Sequence, residues 1–171
     1  MIRPIVKYGD PVLEAEAAPV TDFDTPELRD LINDMFDTMY DAGGVGLAAP
    51  QVGLSQRLTV IDCSAGERPQ ERLVLINPEI LSHEGVQVGE EGCLSIPGFR
   101  EDVKRAKQVT VRAQDVTGKV FELRAEELLA RAIQHENDHL NGILFLQHLS
   151  PLKRELIKRK IRKLKRKGEW D

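Results

Sequence analysis

The sequence has no apolar run long enough to cross a membrane, and its opening, MIRPIVKYGDPVL, lacks the apolar core of a secretory signal. It has only two cysteines, Cys63 and Cys93, which are too few for a disulfide framework. It also has no internal repeat and no low-complexity linker. These absences predict a cytoplasmic protein without membrane association, in which each cysteine is a buried thiol, a nucleophile or a metal ligand.

Length and charge define the body and the tail of the chain. The 171 residues, of which 41% are hydrophobic and 30% charged, suit one globular domain covering residues 1–171. Ten of the 24 Lys and Arg residues, but only three of the 28 Asp and Glu residues, lie between Leu152 and Asp171. The chain therefore combines an acidic body, which should repel nucleic acid, with a basic tail.

Helices are predicted at both ends of the chain and strands in the middle. Thr25-Pro26 is a typical helix start, and the apolar periodicity that follows ends at Gly43-Gly44. Strands are predicted at residues 57–62, 72–78 and 109–123, the last as a hairpin that turns at 115–118. Further helices are predicted at about residues 126–141 and 151–167. This order indicates an α+β fold, not alternating βαβ units.

The segment QHENDHLNG, residues 134–142, places two histidines four positions apart. On the predicted helix, His135 and His139 share a narrow stripe with Leu128 and Ala132, and Glu136 lies beside it. Leu129, Ile133 and Leu140 extend this apolar face, and the other side carries Glu126, Glu127, Arg131, Gln134, Asn137, Asp138 and Asn141. Burying unpartnered imidazoles is costly, so we interpret the pair as metal ligands, with backbone-bonded core histidines as the alternative.

The third ligand decides which kind of metal site this is. Zinc proteases with the same H-E-x-x-H pattern need a downstream ligand, but Phe145 stands where a third histidine belongs and Glu155 lies among the lysines of the tail. An upstream cysteine is the better partner: Cys93 lies in the glycine-flanked segment GEEGCLSIPG, residues 89–98. One thiolate and two imidazoles leave a coordination position open for water, as in catalytic sites. Taken alone, Cys93 would be interpreted as an inert buried thiol.

The segment GGVGLAAPQ, residues 43–51, contains the dinucleotide-binding pattern G-x-G-x-x-A. A helix precedes these glycines where that motif needs a strand, and Pro50 prevents a long helix after them. We therefore expect a loop of small residues whose backbone can lie against a ligand. The alternative is an ordinary loop that ends a helix.

Three segments together resemble the signature motifs of peptide deformylases in order and spacing: GVGLAAPQ (44–51), EGCLS (91–95) and HENDHLNG (135–142). The start IVKYGDPVL and the segment LSPLKR before the last helix extend the resemblance over nearly the whole chain, whereas SAGERPQER (64–72) is typical of a variable surface loop. The resemblance implies an α+β fold of short mixed or antiparallel strands packed around a central metal-binding helix, with an N-terminal helix and a basic C-terminal helix.

The resemblance also implies an activity and a role for individual residues. A bacterial-type enzyme would hydrolyse the formyl group from the N-terminal formyl-methionine of newly synthesised polypeptides and release formate. The implied metal ligands are Cys93, His135 and His139. Glu136 would be the general base and acid. The side-chain amide of Gln51 and the backbone N–H of Leu94 would stabilise the oxyanion.

Further implications concern the substrate and the metal. The implied substrate-binding residues are Val45, Gly46, Gly92, Arg100, Leu128 and Ala132, with His135 also lining the methionine pocket and the backbone at Val45 and Gly92 pairing with the peptide as a strand. Cysteine with two histidines alone suggests zinc. The family instead implies one Fe(II) per chain, replaceable by Zn, Ni or Co, since availability and geometry decide occupancy.

Two other functions stay open at this stage. One is a cytoplasmic metallopeptidase that cleaves amides without preferring a formyl group. The other is a non-catalytic RNA- or ribosome-binding protein with a structural zinc, which the basic tail would suit.

The basic tail predicts an amphipathic helix at 151–167. Its apolar residues recur at helical spacing and would form one stripe: Leu152, Leu156, Ile157, Ile161 and Leu164. We expect this helix to bind the ribosome near the tunnel exit, where N-formyl-methionyl nascent peptides emerge, and catalysis not to require it. We also expect a monomer. A solvated surface helix packed on the body is the alternative.

Overall fold

The computed structural model describes residues 1–170. It has three α-helices, α1 (Pro26–Asp41), α2 (Glu127–Leu140) and α3 (Pro151–Arg166). Short 3₁₀ helices lie at Pro11–Glu14, Ala49–Val52, Pro69–Glu71 and Phe145–His148. The strands are β1 (Gly46–Ala48), β2 (Leu58–Ile61), β3 (Leu73–Glu84), β4 (Gln87–Cys93), β5 (Ile96–Arg105), β6 (Gln108–Gln114) and β7 (Val120–Glu126). The α+β prediction is therefore confirmed, and within residues 1–170 no helix is both long and apolar enough to span a bilayer.

The strands form two antiparallel units. Five strands make one sheet in the order β1-β2-β3-β6-β7, and β4 pairs only with β5 as a separate ribbon. Apolar side chains of α1 pack on β1 and β2, and those of α2 pack against β2, β3, β6 and β7. The helix with the two histidines thus lies between the five-stranded sheet and the ribbon.

Local sequence signals correctly predicted the starts of α1 and α3 and the hairpin formed by β6 and β7. The Thr25 hydroxyl accepts a hydrogen bond from the Leu28 N–H, and the Ser150 hydroxyl accepts one from the Lys153 N–H. At the predicted turn, the Asp115 carboxylate accepts from the Thr117 N–H, which fixes the link between β6 and β7. These contacts involve residues only two or three positions apart, so the sequence alone could indicate them.

The ribbon of β4 and β5 was not predicted, and β3 extends six residues beyond the predicted end at 78. Glycine and acidic residues dominate the segments GEEG and PGFRED, and both types have low strand propensity. Cross-strand hydrogen bonding from Gln87↔Arg105 to Gly92↔Arg100 holds this ribbon together, and its buried carboxylate binds arginines from β5 and α2. These tertiary contacts outweigh the low local propensity.

The prediction that α2 has one buried and one polar side is wrong in part. Arg131 and Gln134, which were assigned to the polar side, are both only 7% exposed. The Gln134 amide bonds the backbone of Ala106 in both directions, which satisfies it without water. Leu128, assigned to the buried stripe, is 50% exposed. The reason is that the ribbon covers the polar side, while an open cleft borders the first turn of α2.

Helix α3 also departs from the predicted single apolar stripe. Ile157 and Ile161 are buried in a cluster with residues of β5 and the 3₁₀ helix Phe145–His148, and Leu164 packs against it. Leu152 and Leu156 remain 70% and 44% exposed. The face of α3 that packs on the rest of the protein is narrower than the stripe formed by all its apolar residues. Two leucines therefore stay in solvent beside the basic side chains.

Candidate metal centre and active site

Strand β4 and helix α2 bring three metal-ligating side chains together. One ligand atom each from Cys93, His135 and His139 lies within 4.8 Å of the others. The Cys93 Sγ is 3.4 Å from the His139 Nε2, and the two imidazole rings have centroids 5.0 Å apart. The group contains neither Glu155, which pairs with Arg162, nor His148, whose Nε2 is 2.8 Å from the Asp138 carboxylate. The three predicted ligands therefore form one compact set.

A buried carboxylate orients the first histidine. Glu91, two residues before Cys93 on the same face of β4, is 2.9 Å from the His135 Nδ1. The Nε2 of His135 therefore faces the other ligand atoms. Glu91 also receives two hydrogen bonds from Arg105, each 2.9 Å long, and one of 2.5 Å from Arg131. Carboxylates in this position fix the tautomer and the orientation of a metal-binding histidine.

The charges around the three side chains fit a bound cation. Burial and the neighbouring His135 hold the pKa of His139 well below its usual value, so this imidazole is neutral, as a ligand must be. Burial lowers the pKa of His135, but Glu136, Cys93 and Glu91 outweigh burial and raise that pKa well above its usual value. The surroundings thus favour a positive charge next to His135, and a divalent metal ion held by the thiolate and two neutral imidazoles would supply that charge in place of a proton.

A second buried carboxylate, Glu136, lies beside the ligand set and forms no salt bridge with any residue of 1–170. Its Oε1 is buried and has no hydrogen-bond partner in the described chain. Burial raises the pKa of Glu136 to about 7, although the neighbouring His135 opposes this. A Cβ atom added to Gly46 would lie 2.5 Å from the Glu136 Oε2, so only glycine leaves room for this carboxylate. A carboxyl group with a pKa near neutrality can both accept and donate a proton.

The amide of Gln51 is fixed with its donor toward the cysteine. Its Oε1 accepts a hydrogen bond from the Ala48 N–H at 2.9 Å. Its Nε2 therefore points the other way, 3.5 Å from the Cys93 Sγ and 3.2 Å from the Ser95 Oγ. Leu94 lies between these last two residues, and its side chain packs against Gly44.

A cleft of about 680 Å³ connects these groups to solvent. It is lined by every predicted substrate-binding residue, Val45, Gly46, Gly92, Arg100, Leu128 and Ala132, and by Gln51, Cys93, Leu94, His135 and Glu136. The Val45 carbonyl accepts from the Asp62 N–H at 2.8 Å, so it is committed to the sheet. Arg100 at the rim pairs with the exposed Glu90 at 2.5 Å.

Several residues at the site were missed in the sequence. Glu91, Arg105 and Arg131 form the buried ion cluster behind His135, and Ser95 accepts from Gln51. A signal for Glu91 existed, because it and Cys93 alternate onto one face of a strand that was itself not predicted. Phe145, which stands in place of a protease-type third histidine, stacks on the His135 ring at 6.5 Å instead.

The fold and the site together indicate a class of protein. This is an α+β protein in which a Cys-His-His set with room for a further ligand lies beside a buried acid, and hydrolytic metal sites have this composition. The family model described as polypeptide deformylase matches residues 2–155. A peptide deformylase of Acidobacterium capsulatum is 62% identical over 170 residues, covering 99% of each chain.

Solved structures agree with this assignment. A peptide deformylase from Legionella pneumophila superposes with a TM-score of 0.91 at 53% identity, covering 100% of this chain and 99% of that one. The peptide deformylase of Thermus thermophilus gives a TM-score of 0.85 at 47% identity, covering 94% and 93%. The chain belongs to the peptide deformylase family, whose members are metal-dependent enzymes that remove N-terminal formyl groups from nascent peptides.

Proposed function

We propose that this chain hydrolyses the formyl amide of N-formyl-methionyl nascent peptides at the cleft between β4 and α2. The observation that carries the proposal is the compact set of Cys93, His135 and His139, of which Cys93 and His135 line the same cleft as the unpaired Glu136 carboxylate. Cys93, His135 and His139 hold the metal in this proposal, and Glu91 fixes His135 behind them. The metal is one Fe(II) ion per chain, replaceable by Zn, Ni or Co.

A metal ion held by these three residues would supply Lewis acidity and lower the pKa of water. Glu136 takes the proton from the water that attacks the formyl carbon, since its free oxygen and a pKa of about 7 suit a base near neutral pH. When the C–N bond breaks, Glu136 returns that proton to the leaving amine of methionine, and formate is released. The same carboxyl group therefore acts first as base and then as acid.

Gln51 and Leu94 stabilise the charge that develops on the formyl oxygen. The Gln51 amide is held by the Ala48 N–H, so its Nε2 donor needs no reorganisation during the reaction. The Leu94 backbone N–H is next to a metal ligand and belongs to the ribbon turn between β4 and β5. Fixed donors of this kind stabilise the transition state more than the bound substrate.

Replacing Gln51 by alanine or leucine should therefore lower kcat much more than it raises KM. Removing one oxyanion donor typically costs about 10²–10³-fold in kcat. Steady-state kinetics on a formyl-Met-Ala-Ser peptide measures both constants. The matched control is Gln147→Ala, because Gln147 caps the Leu144 N–H as Gln51 caps that of Ala48, but lies outside the cleft. A rise in KM alone would make Gln51 a substrate-positioning residue.

Methionine enters the part of the cleft lined by Val45, Leu128, Ala132 and His135. The peptide beyond methionine extends past Gly46 and Gly92, with Arg100 at the rim. The exposed side chain of Leu128 provides apolar surface at the entrance of the cleft, where it can contact the substrate.

One assay separates this function from its rivals. The metal-loaded protein is incubated anaerobically with formyl-Met-Ala-Ser and with the unformylated peptide, and free formate and free amino acids are measured. Formate from the first peptide, without cleavage of either peptide bond, is the expected result. Release of amino acids would indicate a metallopeptidase, and no reaction would indicate a binding protein with a structural metal.

The basic helix α3 gives the proposal a partner. The exposed side chains of Arg159, Lys160, Lys163 and Arg166 have no carboxylate partner in residues 1–170, and the exposed Leu152 and Leu156 lie on the same helix. We infer that α3 binds the ribosome near the tunnel exit. In this proposal the enzyme is a monomer that acts in the cytoplasm on emerging chains. The acidic body makes this attraction oriented.

Changing Arg159, Lys160, Lys163 and Arg166 to glutamine should remove co-sedimentation with ribosomes while leaving kcat/KM on short peptides unchanged. Binding of the unchanged protein should weaken steeply with salt, because phosphate contacts release counterions. The control replaces four basic residues of the body, Lys104, Arg112, Lys119 and Arg124, by glutamine. Retained ribosome binding in the folded α3 variant would refute the interaction.

A further inference from the structure

The segment Ile5–Tyr8 joins the two walls of the active-site cleft. The Val6 N–H donates to the Gln51 carbonyl at 2.8 Å, and the Tyr8 N–H donates to the Ser95 carbonyl at 2.8 Å. Gln51 belongs to the 3₁₀ helix after β1, whereas Ser95 belongs to the turn between β4 and β5. The segment, here called the strap, therefore holds two separate elements whose side chains meet at the Gln51 Nε2.

The strap is in turn held from the far end of the chain. Trp170, which follows α3, is 8% exposed, and its Nε1 donates to the Tyr8 carbonyl at 3.0 Å. The same indole ring packs edge-on against Phe99, with centroids 6.3 Å apart at an interplanar angle of 62°. Phe99 lines the cleft. One side chain thus contacts both the strap and the cleft wall.

We propose that Trp170 is a positioning residue for deformylation. Its N–H fixes the strap, and through the strap the spacing of Gln51 and the Leu94-Ser95 turn, where the oxyanion donors lie. Its ring fixes Phe99, which borders the bound peptide. The two contacts serve different steps, the first acting on turnover and the second on substrate binding. This inference rests on the proposed function.

The geometry makes the position of the strap matter for the reaction. The Gln51 Nε2 reaches the Ser95 Oγ at 3.2 Å only while the two walls keep their separation. Within the described residues, β1 does not pair with the ribbon, because the two belong to different sheets. The hydrogen bonds of Val6 and Tyr8 bridge that gap, and a shift of about 1 Å in such donors can cost about 10²-fold in rate.

Helix α3 supplies a firm base for Trp170. Ile157 and Ile161 are buried in the same apolar cluster as Trp170, and Phe99 packs against this cluster. The sequence prediction was that catalysis does not require any part of this helix. The inference limits that prediction to the basic surface of the helix, because the helix packs beneath Trp170. A truncation after Ser150 would remove Trp170 as well, so neutralising the charges is the cleaner test of ribosome binding.

Two substitutions separate the two contacts. Trp170→Phe keeps an aromatic ring beside Phe99 but removes the N–H, so kcat should fall about threefold with KM unchanged, the size expected of one hydrogen bond. Trp170→Ala removes both contacts, so kcat should fall about tenfold and KM should rise. Ile157→Ala is the control, because it truncates the same cluster but keeps both the hydrogen bond from Trp170 to Tyr8 and the contact between Trp170 and Phe99.

The kinetic result bears on the inference directly. An unchanged kcat in Trp170→Phe would overturn it, as would the same losses in Ile157→Ala, which would mean that general destabilisation explains them. Wild-type protein that releases no formate would refute the proposed function itself. A second measurement tests the inference independently of turnover.

The second measurement uses fluorescence, because Trp170 is the single tryptophan of the chain. Adding the product peptide Met-Ala-Ser to metal-loaded wild-type protein should change the emission saturably, since the peptide contacts Phe99 and Phe99 contacts the indole. The midpoint should equal the inhibition constant of the same peptide. Emission that stays constant while the peptide inhibits would refute the link between Trp170 and the cleft.

Discussion

Replacing Glu136 by glutamine should leave the fold and the bound metal in place and lower kcat by about 10²–10⁴-fold, the usual contribution of a general acid–base group. The amide has nearly the same shape, so it still fits against Gly46, where a Cβ atom would lie 2.5 Å from the Oε2. It cannot accept a proton, however, whereas the buried Oε1 of the carboxylate has no hydrogen-bond partner in the described chain and is free to do so. Metal content by atomic absorption and kcat on formyl-Met-Ala-Ser measure the two effects separately.

The control for this prediction is Glu127→Gln. Glu127 begins the same helix and undergoes the same chemical change, but it is exposed and pairs only loosely with Lys107, at 3.6 Å. It should keep full activity. A loss below tenfold in Glu136→Gln would mean that another group takes the proton, and a loss of metal in this variant would mean that Glu136 holds the ligand set together.

The helix boundaries were predictable because their causes are local. The Thr25 and Ser150 caps and the Asp115 turn each depend on residues two or three positions apart, so short patterns indicate them. The ribbon of β4 and β5 has no such signal. Its glycines let arginine side chains lie close to the backbone: the Arg131 guanidinium packs against Gly89, and Arg100 packs against Gly92. Only the folded chain shows what those glycines contact.

The candidate ligands were predictable for a different reason. The spacing of His135 and His139 places them on one helical face, and the glycine-flanked segment around Cys93, together with the family resemblance, indicated the third ligand. The ion cluster behind them was not predictable, because Glu91, Arg105 and Arg131 come from three elements. Arg131 looked like a solvated residue on a polar helix face. Arg131 can be buried because the Glu91 carboxylate of β4 lies 2.5 Å from its guanidinium and neutralises its charge.

The metal set can be tested by changing its single sulfur ligand. Cys93→Ser should lose most of its bound metal and, with it, most of its activity. A neutral hydroxyl replaces a thiolate, so both the negative charge and the soft donor are lost. His135 and His139 would remain, but two imidazoles alone hold a metal ion weakly. Metal stoichiometry after dialysis and formate release after adding metal back provide the two readouts.

Cys63→Ser is the matched control, because the chain has no other cysteine. Cys63 is partly buried beside the five-stranded sheet, where burial raises the pKa of its thiol and leaves it uncharged. That variant should keep both metal and activity, since it changes the same atom outside the ligand set. Full metal stoichiometry in Cys93→Ser would contradict the proposed ligand set. It would mean that metal binding does not depend on a negatively charged sulfur at residue 93. Loss of metal in both variants would instead indicate that the metal depends on the fold as a whole and not on the thiolate at residue 93.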